Sequence, residues 1–169
     1  MKEWIKDILL AVVIALVVIQ FIKPTVVKQS SMEPNFHEND YLLVSKQSYK
    51  LFGEPRRGDV VVVHSDLVQE SGEEKMLIKR IVAMPGETLD IREGKVYING
   101  ELLEEDYTKD GYTAGDIKSM VIPDGQVFCM GDNREVSIDS RDPSVGCISE
   151  EDIVGKVVLC AYIRSASSA

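Results

Sequence analysis

The uninterrupted apolar run from Ile8 to Ile19, set within Trp4–Ile22, constrains this chain more than any other feature. A bilayer crossing takes about 20 mostly apolar residues. This stretch reaches that length when Trp4 lies at the interface and Lys6 snorkels toward water. A cleaved export signal needs small residues after its apolar run, and Phe21-Ile22-Lys23-Pro24-Thr25 supplies none. A core helix would keep a polar face, which this segment lacks, whereas an all-round apolar helix suits lipid. Residues 1–23 are therefore expected to form a short stub and a membrane anchor, with residues 4–22 in the bilayer. Lys2 and Lys6 precede the span and Lys23 and Lys28 follow it, so charge bias does not orient it. Pro24 stops the helix, and the β-branched Thr25-Val26-Val27 predicts that the chain passes straight into a strand.

With 169 residues in all, the remainder, 24–169, is large enough for one hydrophobic core. Net charge is -9 and the pI about 4.8, which sets the chain against phosphate backbones and excludes nucleic acid as a partner. Three of the 19 basic and two of the 28 acidic side chains precede residue 24, so the body carries about -10. Such a body does not adhere electrostatically to anionic lipid. Attachment is left to the helix, aided by the apolar residues Phe36, Leu51 and Phe52. Cys129, Cys147 and Cys160 lack C-x-x-C spacing, so a structural metal is not expected, and three pairings remain open for a single bridge.

Beyond residue 38 the pattern is short β-like runs bounded by turn residues, at Tyr41–Ser45, Val60–His64, Met76–Ala83, Thr88–Arg92, Gln126–Met130 and Val154–Ile163. Lys95–Ile98 and Glu101–Leu103 flank Asn99-Gly100, whose tolerance of positive φ predicts a type I′ hairpin. Two polar segments, Ser65–Lys75 and Glu104–Ser119, are expected to be surface excursions. Ser149-Glu150-Glu151-Asp152 has capping-box form and predicts one helical turn. The expected class is mainly β, a barrel or sandwich on one N-terminal transmembrane helix.

Candidate chemistry is scattered along this framework. Ser30-Ser31-Met32-Glu33-Pro34 displays a hydroxyl where the chain bends after its first strand. Lys79 and Arg80 lie side by side in the apolar strand Leu77–Ala83, and periodicity leaves open which of them faces inward. A lysine beside Leu77, Ile81 and Ala83 on a buried face would lose hydration, and its pKa would fall from about 10.4. Gly131-Asp132-Asn133-Arg134 runs on to Ser137, Asp139, Ser140 and Arg141, a density of hydrogen-bonding groups that predicts a tight, side-chain-networked turn. It lacks the alternating acidic ligands of an EF-hand loop.

In these motifs the chain closely resembles the type I signal peptidases, membrane-bound Ser-Lys proteases. Ser31-Met32-Glu33-Pro34 matches Ser-Met-x-Pro, and Arg57-Gly58-Asp59-Val60 matches Arg-Gly-Asp before a β-branched run. Lys79-Arg80 with Pro85-Gly86 matches Lys-Arg-x4-Pro-Gly, and Gly131 to Arg141 completes Gly-Asp-Asn-Arg-x2-Ser-x-Asp-Ser-Arg. The resemblance covers nearly the whole chain. It implies Ser31 as nucleophile, Lys79 as general base and Ser137 as the hydroxyl orienting the amine. It further implies Asp139 and Arg141 as a supporting salt-linked pair, Met32 packed beside the site, and Asp132 and Asn133 as structural supports. Pro34, Gly131, Arg134 and Ser140 belong to the same motifs.

The resemblance also implies secretory preproteins as substrates, cut after Ala-x-Ala and bound as an added strand, with neither metal nor organic cofactor. The implied place is the cell membrane, single-pass, with the catalytic body on the extracytoplasmic side and residue 1 cytoplasmic. Two positions depart from the pattern. Gln29 stands two residues before Ser31, where many members place a small residue or a hydroxyl that aids the oxyanion, and Glu87 stands where aspartate is usual. The Ser31 N–H and the Gln29 amide are candidate oxyanion donors. Neither His37 nor His64 occupies the lysine's motif, so a Ser-His relative is not expected. Alternatives are a self-cleaving repressor-type Ser-Lys peptidase, opposed by the anchor, and a catalytically silent relative acting as an assembly factor, favoured only by Gln29.

Overall fold

The computed structural model describes residues 2–51, 53–68, 72 and 74–161. Helix α1, Lys2–Phe21, is about 30 Å long at 1.5 Å per residue. Its stretch Trp4–Phe21 has a mean hydropathy of 2.3, and none of it is buried against the rest of the chain. Strand β1, Ile22–Val26, follows without a linker. Pro24 sits inside β1, which among the described residues pairs with β2 (Tyr41–Ser45) alone and so is an edge strand, where a missing N–H is tolerated.

Nine more strands complete the body: β3 (Val60–Val68), β4 (Glu74–Ala83), β5 (Thr88–Arg92), β6 (Lys95–Ile98), β7 (Glu101–Leu102), β8 (Ile117–Val121), β9 (Gln126–Met130), β10 (Ile148–Ser149) and β11 (Ile153–Ala161). One sheet runs β1-β2-β11-β3-β4-β9-β10 and the other β7-β6-β5-β8, and the pairings are antiparallel. The Asn99-Gly100 turn has φ of 54° and 84°, as a type I′ hairpin demands. Ser149 accepts from the Glu151 N–H and opens a 3-10 turn over Glu150–Asp152.

The polar excursions differ from expectation. Pairing of β3 with β4 continues outward to Val68↔Glu74, so most of Ser65–Lys75 is a hairpin extension, with residues 69–71 and 73 outside the described set. The Ser65 hydroxyl donates to the Lys75 carbonyl at 2.6 Å and closes the ladder where apolar alternation has stopped. The second excursion ends in β8, whose Ile117 and Met120 pack on the core although its burial does not alternate. Residues 162–163 of the last expected strand, and Phe52, also lie outside the described residues.

Leu89, Ile91, Val96 and Ile98 of the smaller sheet pack on Val82, Phe128 and Met130 of the larger. Each fully buried side chain of this kind contributes about 1.5–3 kcal/mol. A second cluster, containing Val61, Leu77, Ile81 and Cys129, fills the middle of the larger sheet. That sheet is strongly curled. Four strand spacings would separate β1 from β4 by about 19 Å in a flat sheet, yet Lys23 Nζ of β1 lies 3.8 Å from Met76 Sδ of β4. Four antiparallel pairings link β1 to β4, so the two strands run in the same direction on either side of the gap.

Candidate active site

Immediately after β1 the chain tightens into a 3-10 turn, Ser30–Met32, which buries Met32 and leaves Ser31 9% exposed. The N–H groups of Asn35 and Phe36 donate to the Met32 carbonyl, and the Glu33–Pro34 peptide is cis. Asn133 clamps the turn from outside: its backbone N–H donates to the Ser31 carbonyl at 3.0 Å and its Nδ2 to the Ser30 carbonyl at 3.2 Å. A residue more than a hundred positions away thus fixes the backbone that carries the hydroxyl.

Lys79 projects from β4 on the same face as buried Leu77 and Ile81, opposite Val61 of β3. It is among the largest of the fully buried side chains, 1% exposed, and its Nζ lies 2.9 Å from Ser31 Oγ. Burial strips the amine of water and brings its pKa from 10.5 down to about 8. Lys75 pushes the same way, while Asp139, Cys129 and Asp132 pull it upward. A displacement of that size corresponds to about 3 kcal/mol of environment. The neighbouring cation faces elsewhere. Arg80 donates to both carboxylate oxygens of Asp132 at 2.8 and 2.7 Å and to the Gly58 carbonyl, and stacks over the Tyr107 ring. Asp132, with no exposed side-chain surface, therefore settles which of the two cations turns toward Ser31.

The turn from Gly131 to Arg141 extends β9, and the pairing Arg80↔Met130 brings Gly131 level with Lys79. A Cβ on Gly131 would run into the Ser137 side chain and the Ser31 carbonyl, so only glycine permits this approach. Asp139 accepts from the Gly131 N–H at 3.0 Å and from Arg141 Nε and Nη2 at 2.8 and 2.9 Å. Burial alone would raise the Asp139 pKa, but the Arg141 guanidinium and the Gly131 N–H hold it below the usual carboxylate range. Ser140 and Cys129 exchange two hydrogen bonds at 3.0 Å and tie the turn back to β9. Arg134 donates to the Gly131 carbonyl, to both oxygens of Glu105 and to Thr113 Oγ1. Ser137 Oγ is buried beside Asp139, whose pKa it helps to lower, but it stands outside hydrogen-bonding geometry among the described residues.

Here a dry amine touches a serine hydroxyl, with both backbones locked by a charge-paired turn. A family model described as "Signal peptidase, peptidase S26" matches residues 1–162. The chain belongs to this family. Signal peptidase I of Bacillus licheniformis is 34% identical over 165 residues, covering 90% of this chain and 84% of the relative. Signal peptidase I T of Bacillus subtilis strain 168 is 37% identical over 163 residues, covering 90% and 81%. The crystal structure of a signal peptidase I from Enterococcus faecalis V583 superimposes with a TM-score of 0.51 at 29% identity, covering 62% of this chain and 97% of that one. As a family member the protein is a serine-type signal peptidase, mainly β, with one N-terminal apolar helix.

Alongside the Ser31–Lys79 pair the signal peptidase body opens a groove of about 460 Å³. One wall is β1 with Lys28 and Gln29, the other is Lys75–Ile78 of β4, and Ser31 with Met32 stands at one end. Gln29 is exposed in that wall, and its side chain makes no capping bond to the 3-10 turn that it precedes. The Arg57-Gly58-Asp59 motif braces β4 from behind, through Arg57 to the Val82 carbonyl, the Gly58 N–H to the Ile81 carbonyl, and the Ile81 N–H to the Asp59 carbonyl. Glu87 accepts from Arg57 and from the Met84 N–H and so closes the turn.

Four contributors escaped the sequence reading. Glu105, Thr113, Tyr107 and Asn35 anchor the Leu103–Gly115 loop to Arg134, Arg80 and Asp132, and no spacing rule singles them out. His37 and His64 are exposed. Among the described residues no group of three His, Cys, Asp or Glu side chains is arranged to hold a metal.

Proposed function

We propose that Ser31 is the nucleophile and Lys79 the general base with which this peptidase removes signal peptides from exported preproteins. The observation carrying this reading is the 2.9 Å separation of Lys79 Nζ from Ser31 Oγ in a site where the amine is 1% exposed. With Lys79 neutral, Ser31 Oγ–H donates to Nζ. As Oγ attacks the scissile carbonyl, the proton passes to Nζ, and the tetrahedral oxyanion collapses to an acyl-enzyme when Lys79 protonates the departing amine. Water entering in place of the amine gives a proton to the same Nζ as its oxygen adds to the acyl carbon; the Oγ–acyl bond then breaks, releasing the new carboxyl terminus, and Nζ returns the proton to Ser31 Oγ. The Ser31 N–H and the Gln29 amide serve as oxyanion donors. Asp139, Arg141, Asp132, Asn133 and Ser137 act by holding these groups in place.

The exposed apolar face of α1 supports a bilayer anchor, since such a helix finds no partner in the body. With residue 1 on the cytoplasmic side, the domain from residue 24 onward works on the outer surface. A preprotein whose apolar segment crosses the same bilayer emerges beside β1 and enters the groove as an extended strand between β1 and β4. Apolar Leu77, Ile78 and Met32 line the groove beside Ser31, which suits small apolar residues before the cut, as in Ala-x-Ala. The test is to incubate the full-length protein in detergent with an Ala-x-Ala preprotein and sequence the product's amino terminus. Wild type should cut after the second alanine, and Ser31→Ala and Lys79→Met should not. A Lys79→Met variant that cleaves normally would remove the assigned base.

A further inference from the structure

The groove is at odds with the charge of the molecule around it. The body carries about -10, yet the charged side chains lining the groove are Lys23, Lys28 and Lys75, with no carboxylate among the lining residues. None of the three pairs with an acid among the described residues, and Lys23 reaches across to Met76 Sδ instead. Lys75 lies on the same face of β4 as Lys79, four residues back, which is about 14 Å along a strand. Since β1 and β4 run in the same direction toward Ser31, Lys23 and Lys75 both occupy the end of the groove away from the reacting atoms.

Unpaired like charges kept together along a binding cleft raise the local potential and sort ligands by sign. We propose that Lys23, Lys28 and Lys75 form a cationic lip that selects acidic, and rejects basic, side chains four to five residues before the cleaved bond. This rests on the peptidase function proposed above and adds a specificity determinant to it. The position follows from geometry: a substrate strand rising about 3.4 Å per residue and held at Ser31 brings its fourth to fifth residue level with Lys75.

Two preproteins with the same Ala-x-Ala site, carrying Asp or Lys at the fourth and fifth residues before the cut, test it on the full-length protein in nonionic detergent. The readout is their ratio of kcat/KM, from which any misfolded fraction or altered base strength cancels. Wild type should favour the Asp preprotein by about tenfold at low salt, and the preference should shrink toward unity at about 0.5 M salt. The double variant Lys28→Glu, Lys75→Glu should invert it. Equal cleavage of both by wild type, or a ratio unchanged in the double variant, overturns the inference while leaving the peptidase standing. Cleavage of neither overturns both. A loss equal on both substrates, seen in phosphatidylglycerol vesicles and absent in detergent, would assign the lysines to lipid headgroups and overturn it as well.

Discussion

The pocket around Lys79 and the Gly131–Arg141 turn touch each other, yet they treat charge in opposite ways. Lys79 is buried with no carboxylate bonded to it among the described residues, and its hydrogen-bond partner there is one hydroxyl. Asp139, equally buried, is bonded to Arg141 and a backbone N–H, and Asp132 is gripped by Arg80 and Asn35. The difference separates two jobs. The base proposed at Lys79 has to be uncharged at working pH, and no carboxylate is bonded to it among the described residues. A scaffold has to be rigid, so each of its buried carboxylates is held by a guanidinium and a second donor. Asp139 connects the two: it pulls the Lys79 pKa upward while its own charge is paired with the Arg141 guanidinium.

The comparison breaks most visibly at Lys79. Lys79→Met should lower cleavage by at least about a thousandfold and yet raise the melting temperature at pH 7. The folded pKa lies below the unfolded one, so the unfolded chain holds more protons between about pH 8 and 10.5, and wild-type stability climbs with pH through that window. Below it the whole penalty of about 3 kcal/mol is in place, and methionine removes it. A variant that melts lower at pH 7 would mean that the amine is not starved of hydration. In wild type, kcat/KM should rise with pH up to about 8.

Arg141→Met should reverse that pattern, destabilising by about 3–5 kcal/mol because Asp139 is left buried and unpaired. In whatever fraction folds, the acid limb of kcat/KM should move to higher pH, as an uncompensated carboxylate raises the Lys79 pKa. Gly131→Ala probes the seam between the two regions. It should cost about 1–3 kcal/mol in denaturant melts and lower kcat at least about tenfold with KM little changed, since the shift falls on Ser31 and not on the groove. Ser137→Ala is the gentlest. Its hydroxyl makes no bond to lose, so stability should change by less than about 1 kcal/mol. A fall in kcat at unchanged stability would show that the hydroxyl engages once substrate is bound.

Much of the fold was legible because the strands obey local rules. Tyr41–Ser45, Thr88–Arg92, Lys95–Ile98 and Gln126–Met130 carry β-branched or aromatic residues between turn formers, and the structure has strands with those limits. The outer β3–β4 hairpin was not legible, since Ser65, Lys75 and the glutamates around them read as loop, and pairing in register overrides that propensity. In the site, the motifs named the residues that converge near Ser31, but alternation could not choose between Lys79 and Arg80. That choice comes from Asp132, more than fifty positions away, and no local pattern contains it. Glu105 and Thr113 were hidden for the same reason, as buried partners of Arg134 look like ordinary loop residues until the loop is folded back.

The absence of any linker between Phe21 and Ile22 turns the first strand into a ruler. If α1 anchors in lipid as proposed, Ser31 would stand at a height above the bilayer set by β1 and one tight turn, and a preprotein would be cut at a fixed reach from the end of its own apolar segment. Inserting two residues at that junction would slide the cleavage point along the substrate rather than abolish it.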